Sequence, residues 1–117
     1  MTVTPYFTVE DADLFIAFVQ RVFNGDLIKD DRYADGTVQH ARLRIGEAVI
    51  MLNQSTADYP ANVSQMHITV EDVEAVYGLA LGAGGCSIMS PNTRPHGAYM
   101  AGIEDPCGNI WWIASAP

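Results

Sequence analysis

Thr8-Val9-Glu10-Asp11 occurs twice in this chain, returning 61 residues later as Thr69-Val70-Glu71-Asp72. The same offset carries Val49-Ile50-Met51-Leu52 onto Ile110-Trp111-Trp112-Ile113. Two apolar runs sharing one register mark two copies of a single structural module. What stands at equivalent places in the two copies then bears on function.

Outward from the first copy, residues 5–9 alternate and are rich in strand formers, which predicts a strand. Asp11 or Asp13 can cap a helix after it. Leu14, Phe15, Phe18, Val19, Val22 and Phe23 recur at helical spacing, so residues 12–23 read as that helix, closed by Asn24-Gly25. Residues 27–33 read as a strand, and Asp35-Gly36 as a hairpin turn. Residues 38–45 alternate, with Ala41, Leu43 and Ile45 on one face and His40, Arg42 and Arg44 on the other. Gly46-Glu47 turns the chain into a strand over 48–53. The order is βαβββ.

Residues 54–64 are polar, contain Pro60 and read as a linker. The second copy predicts a strand over 65–70 and a helix over 71–81, with Val73, Val76, Tyr77, Ala80 and Leu81 inward. Gly82, Gly84 and Gly85 stop that helix. A short strand over 86–90, an irregular loop over 91–97, and strands over 99–104 and 109–114 complete a second βαβββ. Tyr99, Ala101 and Ile103 are expected to face one way and Glu104 the other. Asp105 reads as a turn former.

With 117 residues, 49% of them apolar and 17% charged, the chain is expected to be one soluble domain, residues 1–117. Module 1 spans about residues 4–53, the linker about 54–64 and module 2 about 65–114. Neither a spanning helix nor a signal-peptide pattern is read from it, and a cytoplasmic location is expected. Cys86 and Cys107 lack the spacing of a disulfide framework or a zinc site and are expected to be free thiols. Fourteen acidic against six basic residues give a net charge of −8, which argues against nucleic-acid or membrane partners. That charge suits solubility and would also favour a cationic small molecule. No Ser/His/Asp arrangement, phosphate loop or paired carboxylates stand out.

A doubled βαβββ unit resembles the vicinal oxygen chelate superfamily, which includes glyoxalase I, extradiol dioxygenases and bleomycin-resistance proteins. Thr4-Pro5-Tyr6, Gln39-His40-Ala41-Arg42-Leu43-Arg44-Ile45-Gly46 and Asp105-Pro106-Cys107-Gly108-Asn109 resemble its PhnB-like branch. The resemblance implies an α+β fold in which two modules form a cup-shaped mixed sheet with the helices outside, and it implies a homodimer. Metal-dependent members take ligands from the first and last strands of each module. Carried onto this chain, those positions are Tyr6 and Met51, then His67 and Trp112, and the 61-residue register gives the same pairs.

A catalytic divalent metal needs about three His, Glu, Asp or Cys ligands. Here only His67 is of that kind, so no cofactor is expected; zinc, nickel, iron or manganese would need an unusual set including His40. The expected ligand-binding residues are Tyr6, His40, Arg42, Met51, His67, Thr69, Tyr99 and Trp112, an aromatic and polarizable surface with a few polar handles. His67 could equally be a core histidine, and His96 is expected at the surface. Trp111 is assigned to the core, while Trp112 could instead meet a second subunit. The leading function is metal-free binding of a small aromatic or cationic molecule, as in antibiotic sequestration. The alternatives are a metal-dependent glyoxalase-like lyase or extradiol-type dioxygenase, and a dimer whose cup is filled by its own side chains.

Overall fold

The computed structural model describes all 117 residues. Its elements are β1 (Tyr6–Val9), α1 (Ala12–Phe23), β2 (Asp26–Arg32), β3 (Val38–Ile45), β4 (Ala48–Gln54), β5 (Gln65–Val70), α2 (Val73–Gly82), β6 (Cys86–Thr93), β7 (Tyr99–Glu104) and β8 (Ile110–Ser115). They fall into two units, Met1–Val63 and Ser64–Pro117. Each unit is one βαβββ module with one four-stranded sheet, ordered β1-β4-β3-β2 in the first and β5-β8-β7-β6 in the second. The pairs β1–β4 and β5–β8 are parallel and the remaining pairs antiparallel, so both sheets are mixed and the fold is α+β. Neither helix is long and apolar enough to cross a membrane.

The repeated Thr-Val-Glu-Asp is the end of a strand followed by a helix cap. Asp11 accepts from Leu14 N and Asp72 from Ala75 N, each satisfying an otherwise orphaned amide of the first helical turn. The two helices also end alike. Gly25 N donates to Val19 O and Gly85 N to Ala80 O, after a left-handed residue, Asn24 (φ 54°) in one unit and Gly84 (φ 96°) in the other. Asp11→Ala and Asp72→Ala are each expected to cost about 1 kcal/mol in urea denaturation. A negligible cost at either position would show that the cap is not what starts that helix.

In unit 1, α1 lays Phe15, Phe18, Val19 and Val22 against Phe7, Val9, Ala41, Leu43 and Leu52, all nearly inaccessible. Phe7 and Phe15 stack with ring centroids 4.9 Å apart. Unit 2 is less filled. Its core is Val73, Ala80, Ala101, Ile103, Trp111 and Ile113. Leu79, which corresponds to the buried Phe18, is 40% exposed. The small Ala80 lets α2 pack on β6, β7 and β8, and Met66, Ile68 and Val70 of β5 stay half-buried.

Four expectations are corrected. Residues 91–93 continue β6 and are not part of a loop; β6 is the sheet's edge strand, where a proline's missing N–H breaks no ladder. The helix starts at Val73 because Asp72 is its cap. Leu81 is 40% exposed and does not face inward.

The face assignment in β7 is also reversed. Ala101 and Ile103 are buried on the side of α2, and Tyr99 gives its hydroxyl hydrogen to Glu74 of that helix. Glu104, paired with Ile110, lies on the opposite face with Trp112 and Gly102. The cause is a shift in register. The Arg32–Val38 and Asp31–His40 pairs skip Gln39, a bulge in β3 without counterpart in β7. Arg42 opposite Met51 therefore corresponds to Gly102 opposite Trp112, an offset of 60 and not 61.

Candidate binding faces

Each sheet has one face under its helix and one open face. In unit 1, alternation puts Tyr6 and Thr8 of β1, Met51 and Asn53 of β4, and His40 and Arg42 of β3 on the open face. Tyr6 is 46% exposed, and the other five are half-buried.

Three of these side chains form a chain of hydrogen bonds. Arg42 Nε lies 3.4 Å from His40 Nε2, and His40 Nδ1 lies 3.1 Å from the Tyr6 hydroxyl. A guanidinium can only donate, so His40 Nε2 accepts and the ring hydrogen lies on Nδ1. Nδ1 then donates to the Tyr6 oxygen, which leaves the Tyr6 hydroxyl hydrogen free to point away. Burial and the neighbouring Tyr33 raise the pKa of Tyr6 above the usual phenol value, which keeps that hydrogen in place. Beside it, Thr8 Oγ1 donates to Asn53 Oδ1 at 2.8 Å, which leaves the Asn53 amide nitrogen as a donor.

Tyr6, Thr8, Asn53 and Tyr59 line a cavity of about 400 Å³. Sequence reasoning missed Asn53 and Tyr59. Alternation from Met51 would have found Asn53. Tyr59 falls in the segment read as a linker, which in fact runs back beside β1, with Ser55 N bonded to Val9 O and Asn62 N to Thr8 O.

Unit 2 repeats the arrangement with different chemistry. A cavity of about 670 Å³ is lined by His67 and Thr69 of β5 and Ala114 of β8, with His96, Gly97 and Ala98 of the β6–β7 turn. At the 61-residue offset, His67, Thr69 and Ala114 are the counterparts of Tyr6, Thr8 and Asn53. The two modules thus form cavities at the same three positions of their sheets. His96 is exposed, as expected, and it lines the same cavity as His67.

Trp112 stands opposite Gly102. A Cβ on Gly102 would lie 2.5 Å from the Trp112 benzo ring, so the indole occupies the space a side chain there would need. Its Nε1 donates to Gln65 Oε1 at 2.9 Å. The ring is held at two points and left half-exposed. Gly102 was not singled out from the sequence, although a glycine inside a strand signals a close approach.

Of the expected site residues, Tyr6, His40, Arg42 and Met51 share the open face of unit 1, and His67, Thr69 and Trp112 that of unit 2. Tyr99 does not join them, because its hydroxyl is held on α2. Glu104 does share the face with His67, but they are two strands and two residues apart, roughly 12 Å by sheet spacing. That is too far for one metal with bonds of about 2.1 Å. No group of three or more His, Cys, Asp or Glu side chains is placed to hold a metal ion. The residues present do not fit the metal that the resemblance implies.

Two βαβββ modules, each a mixed sheet with one face under its helix, define the structural class of this chain. Residues 3–113 match the family model for the Glyoxalase/Bleomycin resistance protein/Dioxygenase superfamily, and the chain belongs to that superfamily. Among curated proteins it is similar to an uncharacterized protein of Mycobacterium bovis, 28% identical over 92% of this chain and 78% of that protein. A Mycobacterium tuberculosis counterpart is also 28% identical, over 92% of this chain and 70% of that protein.

Among solved structures it resembles TioX from Micromonospora sp. ML1, with a TM-score of 0.78 and 21% identity over 100% of this chain and 97% of that one. A PhnB protein from Bacillus cereus matches with a TM-score of 0.76 and 18% identity, over 99% and 100% of the two chains. A glyoxalase-related enzyme from Fulvimarina pelagi matches with a TM-score of 0.80 and 16% identity, over 100% of this chain and 88% of that one. At these identities the structures share the fold.

Proposed function

We propose that this protein binds a small aromatic or cationic organic molecule without a metal, sequestering it in the cytoplasm and not transforming it. The observation that carries this reading is the Trp112 indole lying in the space above Gly102 and tied to Gln65. An aromatic ring held in place loses little freedom when a flat ligand stacks on it, and an indole face also attracts cations. His67 and Thr69 on the same face supply polar contacts beside it. The alternative, a metal-dependent lyase or dioxygenase, would need a ligand set that neither open face offers.

The reading includes a homodimer. Leu79 and Leu81 of α2, each 40% exposed, are apolar surface that a second copy would cover. Sedimentation equilibrium checks this, with Leu79→Lys expected to shift a dimer toward monomer; a wild-type monomer at every concentration would remove it.

For the binding role, thermal shift and tryptophan fluorescence are followed against a panel of cationic antibiotics and aromatic metabolites. Saturable responses to some members, lost in Trp112→Ala, are expected. A flat response across the whole panel would count against binding and favour faces that serve the fold alone.

A further inference from the structure

We propose that the cavity of unit 1 takes the carbonyl oxygen of an uncharged aromatic compound, with the Tyr6 hydroxyl and the Asn53 amide as its donors. This rests on the small-molecule reading and narrows its ligand class. The inference comes from hydrogens that the protein leaves without acceptors, on two residues that line one cavity.

Tyr6 stands on edge strand β1 and His40 on β3, with β4 between them, so the Tyr6 side chain reaches across β4 to the imidazole. Arg42 fixes the ring hydrogen of His40 on Nδ1, and Nδ1 donates to the Tyr6 oxygen. That is the one hydrogen bond of the Tyr6 hydroxyl, and its own hydrogen has no acceptor in the chain. Asn53 is paired with Thr8 in the next row of the sheet. Its Oδ1 accepts the Thr8 hydrogen, and its amide nitrogen is left as a donor. A carbonyl oxygen has two lone pairs and can accept from both residues.

The cavity also favours a neutral ligand. None of its lining residues, Tyr6, Thr8, Asn53 and Tyr59, carries a charge. Taking an ion out of water costs far more than taking a neutral polar group, unless a counter-charge meets it. An amidinium or ammonium would bring hydrogens to groups that already present them. The volume of about 400 Å³ is at the small end of ligand cavities, roughly 300–1,000 Å³. Tyr6 and Tyr59 give it two aromatic walls, which suit a flat ring. The segment carrying Tyr59 is tied to β1 on both sides of it, Ser55 N to Val9 O and Asn62 N to Thr8 O.

Arg42 is a positioning residue here and acts through His40. Without its hydrogen, His40 can carry the ring hydrogen on Nε2. Nδ1 then becomes an acceptor and draws the Tyr6 hydrogen away from the cavity.

Three probes of nearly one shape test the reading: neutral benzamide, anionic benzoate and cationic benzamidine. They are titrated into isotope-labelled full-length protein and followed through the ring signals of Tyr6, His40 and Trp112. Benzamide is expected to shift Tyr6 saturably and to bind there more tightly than the two ions. Its affinity should fall about fivefold in Tyr6→Phe, which keeps the ring and removes the donor. Asn53→Asp keeps the oxygen that Thr8 bonds but exchanges the donor for a carboxylate oxygen, so benzamide should weaken and benzamidine gain. In Arg42→Met, long-range imidazole spectra should show the His40 hydrogen moved to Nε2, with benzamide weakened several-fold. A merely structural role for Arg42 would leave that tautomer unchanged. An unchanged amide spectrum confirms that each variant is folded.

Benzamide affinity unchanged in Tyr6→Phe, or either ion binding at Tyr6 as tightly as benzamide, would overturn the carbonyl anchor. Probes that move only the Trp112 signals would overturn it too, while leaving the binding reading in place. If no probe moves any signal on either open face, both fall.

Discussion

Asp105→Ala is expected to lower stability by about 4 kcal/mol, the largest effect outside the apolar core. Asp105 is 3% exposed, and its carboxylate holds the β7–β8 turn from within. One oxygen accepts from Cys107 N at 2.8 Å and Asn109 N at 3.1 Å, and the other from Trp111 Nε1 at 2.8 Å. Alanine would leave buried N–H groups without acceptors, each costing about 1–3 kcal/mol. Chemical denaturation at neutral pH reads the loss, and a drop below about 1 kcal/mol would mean that water replaces the carboxylate at little cost.

The same group has a pH signature. Burial pushes its pKa above the usual carboxylate value, against the pull of Trp111, Asn109 and Cys107. The folded state then holds this proton more tightly than the unfolded chain. Its contribution is therefore present below the ordinary aspartate range and is lost as pH rises through the raised value. The stability gap between wild type and Asp105→Ala should widen as pH is lowered from neutral toward the ordinary aspartate value. Asp13 behaves oppositely. Its hydrogen bond to Arg32 lowers its pKa, so its small, exposed contribution is present above the ordinary value and is lost on acidification.

Gly102→Ala is expected to displace Trp112 and weaken binding of an aromatic ligand about tenfold, with a stability change within about 1 kcal/mol. The two effects separate because the overlapped atoms, Cζ3 at 2.5 Å and Cε3 at 2.8 Å, belong to a half-exposed side-chain ring and not to backbone, so the ring gives way by breaking its bond to Gln65. The Trp112 Nε1–H signal should move as its bond to Gln65 is lost. Gly85→Ala is the control. Its Cβ would meet Ala80 O at 2.8 Å and Glu104 O at 3.2 Å, which are backbone atoms that cannot step away. That variant should lose stability and leave the ring of Trp112 in place. If Gly102→Ala leaves both the indole signal and ligand affinity unchanged, the ring is not seated where binding requires it.

The two helices and most strands were legible because apolar spacing in each module matches its buried face. Helix α1, strands β3 and β5, and the buried Trp111 are direct consequences of periodicity. The 61-residue register also holds through β1, β4, β5 and β8 and pairs Tyr6 with His67 and Met51 with Trp112, but it did not single out Asn53 and Ala114, which line the cavities. It failed in β7, where the bulge at Gln39 shifts the correspondence by one and reverses the faces of Tyr99 and Glu104. Strand β6 was read short because Pro91 looks like a loop residue until the strand is known to be an edge. The inward side of α2 was misread at Leu81 because that helix is apolar nearly all round. The Tyr6–His40–Arg42 chain could not be read at all: alternation puts the three on one face, but only side-chain geometry shows which atom donates to which.

The most direct test is calorimetric titration of chelator-treated protein with the ligand the panel selects, beside the Trp112→Ala and His67→Ala variants. Metal-free binding predicts saturable binding that chelation leaves unchanged, that Trp112→Ala abolishes and that His67→Ala only weakens. Binding that vanishes on chelation and returns with one equivalent of zinc, nickel, iron or manganese, and that is lost in His67→Ala, would contradict it.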